Sequence, residues 1–273
     1  LISSSDVVLN LVSGVYGKGF GFWAARYCKR LTEVEVAYNE ALDPAQVSDA
    51  LRANPGVTIV SAVHHDTPSG TINPINEIGK VVRNHGALLL VDAVSSFAGM
   101  DVHPGDCSAD IFVTGPGKCL GGSPGLSVLD VSAAAWARME SNDKAPRASV
   151  LSLLDWKDAW RKEVAFPFTP SVSEVQGLDA ALDHYLEEGP ETVWQRHDLT
   201  ARACRAGIKA MGLELWPARE SIAAPTTTAV TIPGNLTTKQ IHSAARQIFG
   251  VTLSAGRMET YDKLIRIGHM GPV

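Results

Sequence analysis

Two neighbouring segments decide the fold: Leu88-Leu-Leu-Val-Asp92-Ala-Val94-Ser-Ser and, after a short excursion, Val113-Thr-Gly-Pro-Gly-Lys118-Cys-Leu-Gly-Gly-Ser-Pro-Gly125. Four apolar residues in a row before Asp92 predict a strand buried on both faces. An aspartate at the carboxyl end of such a strand sits where open α/β sheets bind their ligands. Lys118 follows a second apolar run, Ile111-Phe-Val113, and the glycines around it let backbone come close to a ligand. A carboxylate and an amine at the ends of neighbouring strands predict one shared site. Taken singly, each also has an ordinary reading, as a turn-capping aspartate and a solvated loop lysine.

Working outward, strands are expected at 7–12, 34–36 and 57–63, with helices at 16–30, 43–51 and 74–84. Asp43-Pro44 marks one helix start by N-cap and first-turn proline. Beyond Asp92 come strands at 111–114 and 126–130 and helices at 133–140, 173–188 and 191–211. The stretch 142–170 is irregular, with tryptophans and prolines, and its length suits a binding or subunit-contact segment. Strands alternating with helices predict an α/β fold, a mostly parallel sheet flanked by helices. After Gly212 the pattern changes to strands at 213–216, 226–232 and 263–267 and a helix at 237–249, a smaller α+β domain. The expected division is a large domain over 1–190 and a small one over 191–273. The chain opens on Leu1 and stops at Gly271-Pro-Val273, which reads as a fragment lacking the start of the first domain and the end of the second.

The 273 residues carry a net charge of −5 and 45% hydrophobic content, an ordinary globular composition long enough for one large core or a large core plus a small one. A mildly acidic balance without a basic cluster argues against nucleic acid as the main partner. No apolar run approaches the roughly 18–20 residues of a membrane span. Cys28, Cys107, Cys119 and Cys204 lack Cys-x-x-Cys spacing and read as free thiols of a reducing, cytoplasmic compartment. Cys119, beside Lys118, reads more simply as a buried thiol than as a reactive one.

The glycines invite nucleotide motifs, and both fail on spacing. Gly17-Lys-Gly19-Phe-Gly21 is not a dinucleotide fingerprint, and Gly115-Pro-Gly-Lys118 lacks the loop length and the Ser/Thr of a P-loop. Adjacent residues at a strand end point to opposite faces, so His64-His65-Asp66 reads as a hydrogen-bonded turn and no metal site is expected.

The whole pattern resembles the class V aminotransferases of the pyridoxal-phosphate fold type I superfamily. In that family a strand ends in Asp-x-Val-(Ser/Ala)-Ser, and some two dozen residues later a glycine-bounded loop carries the Schiff-base lysine. Asp92-Ala-Val94-Ser-Ser and Gly115-Pro-Gly-Lys118 match both. His64-His-Asp-Thr67-Pro-Ser-Gly70 resembles the family's His-x-Glu-(Ser/Thr)-Ser-Thr-Gly turn, with aspartate in place of glutamate. Ser13-Gly-Val-Tyr16-Gly resembles its first strand-to-helix turn, and Leu264-Ile-Arg266-Ile-Gly-His-Met-Gly271 its substrate-carboxylate arginine.

The resemblance implies a role for each residue. Asp92, ionised, would hold a proton on the pyridine nitrogen, each pKa unit of support being worth about 1.4 kcal/mol. Val94 would pack one ring face, Tyr16 stack on the other, and Thr67 hydrogen-bond the ring hydroxyl or its neighbour. Lys118, partly desolvated near a cationic ring, would combine a lowered pKa with proton transfer. Arg266 would grip a substrate carboxylate through two parallel bonds, and Arg257, in Ser254-Ala-Gly-Arg257, resembles the other half of that clamp, though alone it reads equally as a surface residue.

Relatives usually place a tyrosine three residues before a threonine, reaching the phosphate bound to the neighbouring subunit, whereas this chain has Phe166 before Thr169. Phenylalanine offers no donor, so a phosphate would lose a charge-assisted bond worth roughly 1.5–3 kcal/mol. Either the ring suits a neutral hydroxymethyl group, or Phe166 is interface packing. The first option implies pyridoxamine or pyridoxal as a substrate engaged through Lys118, with pyruvate and alanine as the other partners. The alternative is resident pyridoxal 5′-phosphate in an alanine- or serine-type aminotransferase. A non-catalytic vitamer-binding protein is a third reading. Sites built at subunit interfaces imply a homodimer or homotetramer.

Overall fold

In the computed structural model, which describes residues 1–161, 163 and 165–272, the opening strands lie in the middle of a six-stranded sheet. The chain runs β1 (Val7–Val12), α1 (Val15–Ala24), β2 (Arg30–Glu35), α2 (Pro44–Ala53), β3 (Ile59–Val63), β4 (His65–Asp66), β5 (Thr71–Ile72), α3 (Ile75–His85), β6 (Leu88–Asp92) and β7 (Ile111–Thr114). It continues through β8 (Val128–Val131), α4 (Ala133–Glu140), α5 (Leu153–Trp156), α6 (Val172–Glu188) and α7 (Pro190–Ala210). Last come β9 (Thr227–Thr231), α8 (Thr238–Phe249), β10 (Ser254–Ala255) and β11 (Leu264–Gly268).

The large sheet is ordered β2-β1-β3-β6-β7-β8, parallel except for β8. Its central strands are buried because helices cover both faces. Leu9, Leu11, Val60, Leu89 and Val91 pack against Val47 and Leu51 of α2 and Ile78 and Val82 of α3, while Val8 and Ile59 meet Ala24 of α1. From β1 the chain goes to β2 on one side and then to β3 on the other. That reversal opens a crevice at the carboxyl ends of β1 and β3, where open α/β sheets bind ligands. Register sets Val63, Asp92 and Val113 side by side on this edge.

Several element boundaries differ from expectation. Helix α1 stops at Ala24, because the N–H groups of Lys29 and Arg30 both donate to the Asp6 carbonyl, at 2.8 and 3.3 Å, and start β2. Strand β2 then pairs with β1 along its whole length, from Arg30 rather than from residue 34. The segment 213–216 makes only a bridge, Leu215 to Val230, and the short β10 takes an edge of the second sheet, ordered β10-β11-β9. Strand β8 begins at Val128 and runs antiparallel to β7. Lys162 and Val164, within the irregular stretch, lie outside the described residues, as does Val273.

The β4–β5 ribbon ties the two sheets together. The Ala224 N–H donates to the Gly70 carbonyl at 2.9 Å, and Thr71 bridges to Ala223. Helix α7 packs on β9.

Candidate active site

Asp92 ends β6 with a half-buried carboxylate. Its Oδ1 accepts the Val94 N–H at 2.9 Å, which turns the chain away from the sheet and sets Val94 beside the carboxylate. Burial raises the Asp92 pKa, and the Val94 N–H and the nearby Lys118 charge pull it back. Lys118 follows β7 in a loop closed by Gly121 N–H to Lys118 O at 3.0 Å and Gly122 N–H to Pro116 O at 2.8 Å. Gly121 has φ +72°, and a Cβ there would sit 2.7 Å from Pro272, so this turn requires glycine. Cys119 is buried behind the lysine, and burial pushes its thiol up to about 12, the state of an inert structural cysteine.

Tyr16 lies in the first turn of α1 and, with Asp92, Asn10, Phe20 and Ser61, borders a cavity of about 30 Å³. Thr67 follows β4, and its hydroxyl donates to Ser95 Oγ, three residues beyond Asp92. The Ser95 carbonyl in turn meets His65 Nδ1 at 2.9 Å and the Thr226 hydroxyl at 3.2 Å. Because Nδ1 faces a carbonyl it carries the proton, leaving His65 Nε2 as a buried acceptor.

Arg266 sits in β11, between β10 and β9. Its Nε donates to Ala255 O at 2.9 Å and its Nη1 to Thr67 O at 3.4 Å. Burial lowers its pKa, Arg257 adds to that effect, and Tyr16 and Asp66 oppose it. Arg257 is exposed, and its Nη1 lies 3.4 Å from the Tyr16 hydroxyl. Contacts thus link Tyr16 to Arg257, Thr67 to Arg266, and Asp92 to Val94 and, by charge, to Lys118, with Tyr16 and Asp92 on one cavity. Phe166 and Thr169 do not join them within the chain. Both are exposed, and Phe166 instead faces Trp156, with ring centroids 6.4 Å apart.

Asp66, Ser95, His65 and Thr226 escaped the sequence reading as parts of the site. The signal for Asp66 and His65 was the turn motif itself; Thr226 carried none. Among the described residues no group of three or more His, Cys, Asp or Glu could hold a metal ion, and no helix is long and apolar enough to cross a membrane.

The donor set fits a pyridoxal vitamer. Asp92 Oδ2 accepts no bond from the described residues, so a half-buried carboxylate keeps one oxygen that a protonated ring nitrogen could use, with an aromatic side chain and a primary amine at hand. The comparisons agree. The Aminotransferase class-V family profile matches residues 23–264, and the chain belongs to the class V aminotransferases. Class V aminotransferases use pyridoxal phosphate chemistry. The chain is 63% identical over 272 residues to a pyridoxamine–pyruvate transaminase of Mesorhizobium japonicum, covering 100% of this chain and 69% of that protein. The crystal structure of pyridoxamine-pyruvate aminotransferase from Mesorhizobium loti superposes with a TM-score of 0.98 at 63% identity, again over 100% and 69% of the two chains. An alanine–glyoxylate aminotransferase structure from Nostoc gives a TM-score of 0.93 at 26% identity, over 99% and 71%.

Burial lowers His64 to about 4, His65 to about 3 and His269 to about 4. All three are neutral when folded, whereas the unfolded chain protonates them near pH 6.5. Stability is therefore complete above that pH and is lost as pH falls toward 4, at up to about 4 kcal/mol per pH unit if all three contribute fully. Urea midpoints measured from pH 7.5 to 4.5 are expected to fall steeply below 6.5; a flat profile would contradict this burial.

Proposed function

We propose that this chain forms the core of an enzyme transferring the amino group of free pyridoxamine to pyruvate, giving pyridoxal and L-alanine. The observation that carries the reading is 63% identity along the full chain to a protein of that activity. When bound, the pyridine ring supplies the electron sink for breaking a C–H bond. Asp92 keeps a proton on the ring nitrogen through Oδ2, while Tyr16 and Val94 hold the ring between them. Arg266 and Arg257 orient the pyruvate carboxylate. Lys118 Nζ would hold pyridoxal by condensing with its aldehyde carbon with loss of water, and as the free amine would move a proton between C4′ and the substrate α-carbon. Phe166 and Thr169, exposed in one chain, serve the crevice of a second copy, and the donorless ring accepts a hydroxymethyl group in place of a phosphate. The enzyme is accordingly a cytoplasmic homodimer or homotetramer.

The test is phosphate dependence. Purified full-length protein should convert pyridoxamine and pyruvate to pyridoxal without added cofactor. Retention of tightly bound pyridoxal phosphate together with no turnover of free pyridoxamine would reject the assignment in favour of a phosphate-dependent relative. Arg266→Lys is expected to raise KM for pyruvate about tenfold or more, since an ammonium loses one charge-assisted bond, while KM for pyridoxamine changes little. Steady-state kinetics varying each substrate in turn will show the split.

A further inference from the structure

Asp66 is linked to each arginine through one neighbour, to Arg266 through Thr67 and to Arg257 through Tyr16. It is fully buried at the end of β4. Its Oδ2 accepts the Tyr16 N–H at 2.9 Å, and its Oδ1 accepts the Ser69 hydroxyl at 3.2 Å. Both oxygens accept; burial raises the carboxyl pKa, and the bonds from Tyr16, Ser69 and Gly17 at the start of the helix pull it back toward the ionised form. Helix α1 has glycine at its N-cap, no side-chain cap and no acidic residue in its first turn. Asp66 supplies that missing anion from 50 residues away, where the helix dipole favours negative charge. The fit is tight enough that a Cβ on Gly14 would lie 2.2 Å from the Asp66 carboxyl carbon.

The position of this carboxylate bears on the anion site. One flank of Asp66 is Thr67, whose carbonyl receives Arg266 Nη1. The other is Tyr16, whose hydroxyl meets Arg257 Nη1. Two guanidinium groups together present two positive charges to one crevice, more than a single substrate carboxylate balances. Glu259, two residues from Arg257, is exposed, so water screens it. Asp66 is buried and screened far less.

We propose that Asp66 is a specificity-determining residue whose buried charge offsets one of the two arginines and matches the clamp to a monocarboxylate rather than a dicarboxylate acceptor. This rests on the reading of Arg257 and Arg266 as the pyruvate clamp. Removing the charge leaves two uncompensated guanidinium groups, and a dianion gains more from them than a monoanion does.

The test uses two unreactive probes, propionate and succinate, with equilibrium binding measured on full-length protein by calorimetry. Asp66→Asn keeps the shape and an acceptor oxygen for the Tyr16 N–H while removing the charge. The ratio of succinate to propionate affinity is expected to rise about tenfold, and Asp66→Glu, which keeps the charge, should leave the ratio near its original value. A purely structural role would weaken both anions alike and leave the ratio unchanged, which would overturn the proposal. Should Asp66→Asn not fold, Asp66→Ser provides the same neutral test. Should succinate bind no form, the propionate affinity of the neutral variant must depend more steeply on salt, and an unchanged slope overturns the proposal. An unchanged ratio with pyridoxamine and pyruvate still turned over removes only the role of Asp66, whereas loss of binding for both anions in every form removes the clamp itself.

Discussion

Lys118→Ala is expected to lower kcat for pyridoxal formation by about 10²–10⁴-fold, the range lost when a positioned proton-transfer group is removed. The same variant should give no borohydride-stable pyridoxal adduct, whereas the unmodified protein should be labelled at this one residue. The fold should survive the change. The Lys118 side chain is half-buried, and the loop is held by backbone bonds from Gly121 and Gly122, not by the amine. An unchanged melting temperature with activity gone would assign the loss to chemistry. Activity within a few-fold of the unmodified protein, or labelling that persists, would contradict the role given to the lysine and leave a vitamer-binding protein without catalysis.

Asp92→Asn should lower kcat by roughly a hundredfold, about 3 kcal/mol, if the carboxylate supports the ring nitrogen by two pKa units. Asparagine retains an oxygen for the Val94 N–H, so the turn after β6 is kept and only the charge is lost. Folding stability should hold or rise, because burial opposes the ionised form of this carboxyl. Steady-state rates and thermal melts of one preparation will separate the two effects. A near-normal kcat would mean that Asp92 merely caps the turn.

Apolar runs around residues 7–12 and 57–63 became the buried centre of the sheet, with Asn10 and Ser61 paired inside it, whereas in β6 only Leu89 and Val91 are fully buried and Leu88 and Leu90 are partly so. Boundaries fared worse where a distant partner decides them. Nothing near Ala24 ends the first helix; the Asp6 carbonyl does, by capturing Lys29 and Arg30. Residues 213–216 had the composition of a strand but found only one bridging partner, across from Val230.

The site divides along the same line. Asp92 and Lys118 were legible because each is written beside its own strand, and a strand end in an α/β sheet is a predictable address. The charge arrangement around Arg257 and Arg266 was not. The contact from Arg266 to Thr67 spans 199 residues, that from Arg257 to Tyr16 spans 241, and the one that seats Asp66 under α1 spans 50. Periodicity reports which face of an element is buried, but it carries no information about which charges two sheets bring together when they pack. The sequence by itself determined the class of fold and placed Asp92 and Lys118 at neighbouring strand ends, the two poles of the proposed pyridine site. Tertiary packing alone decided that two arginines and one buried aspartate share the crevice, and so what charge that crevice presents to an incoming acid.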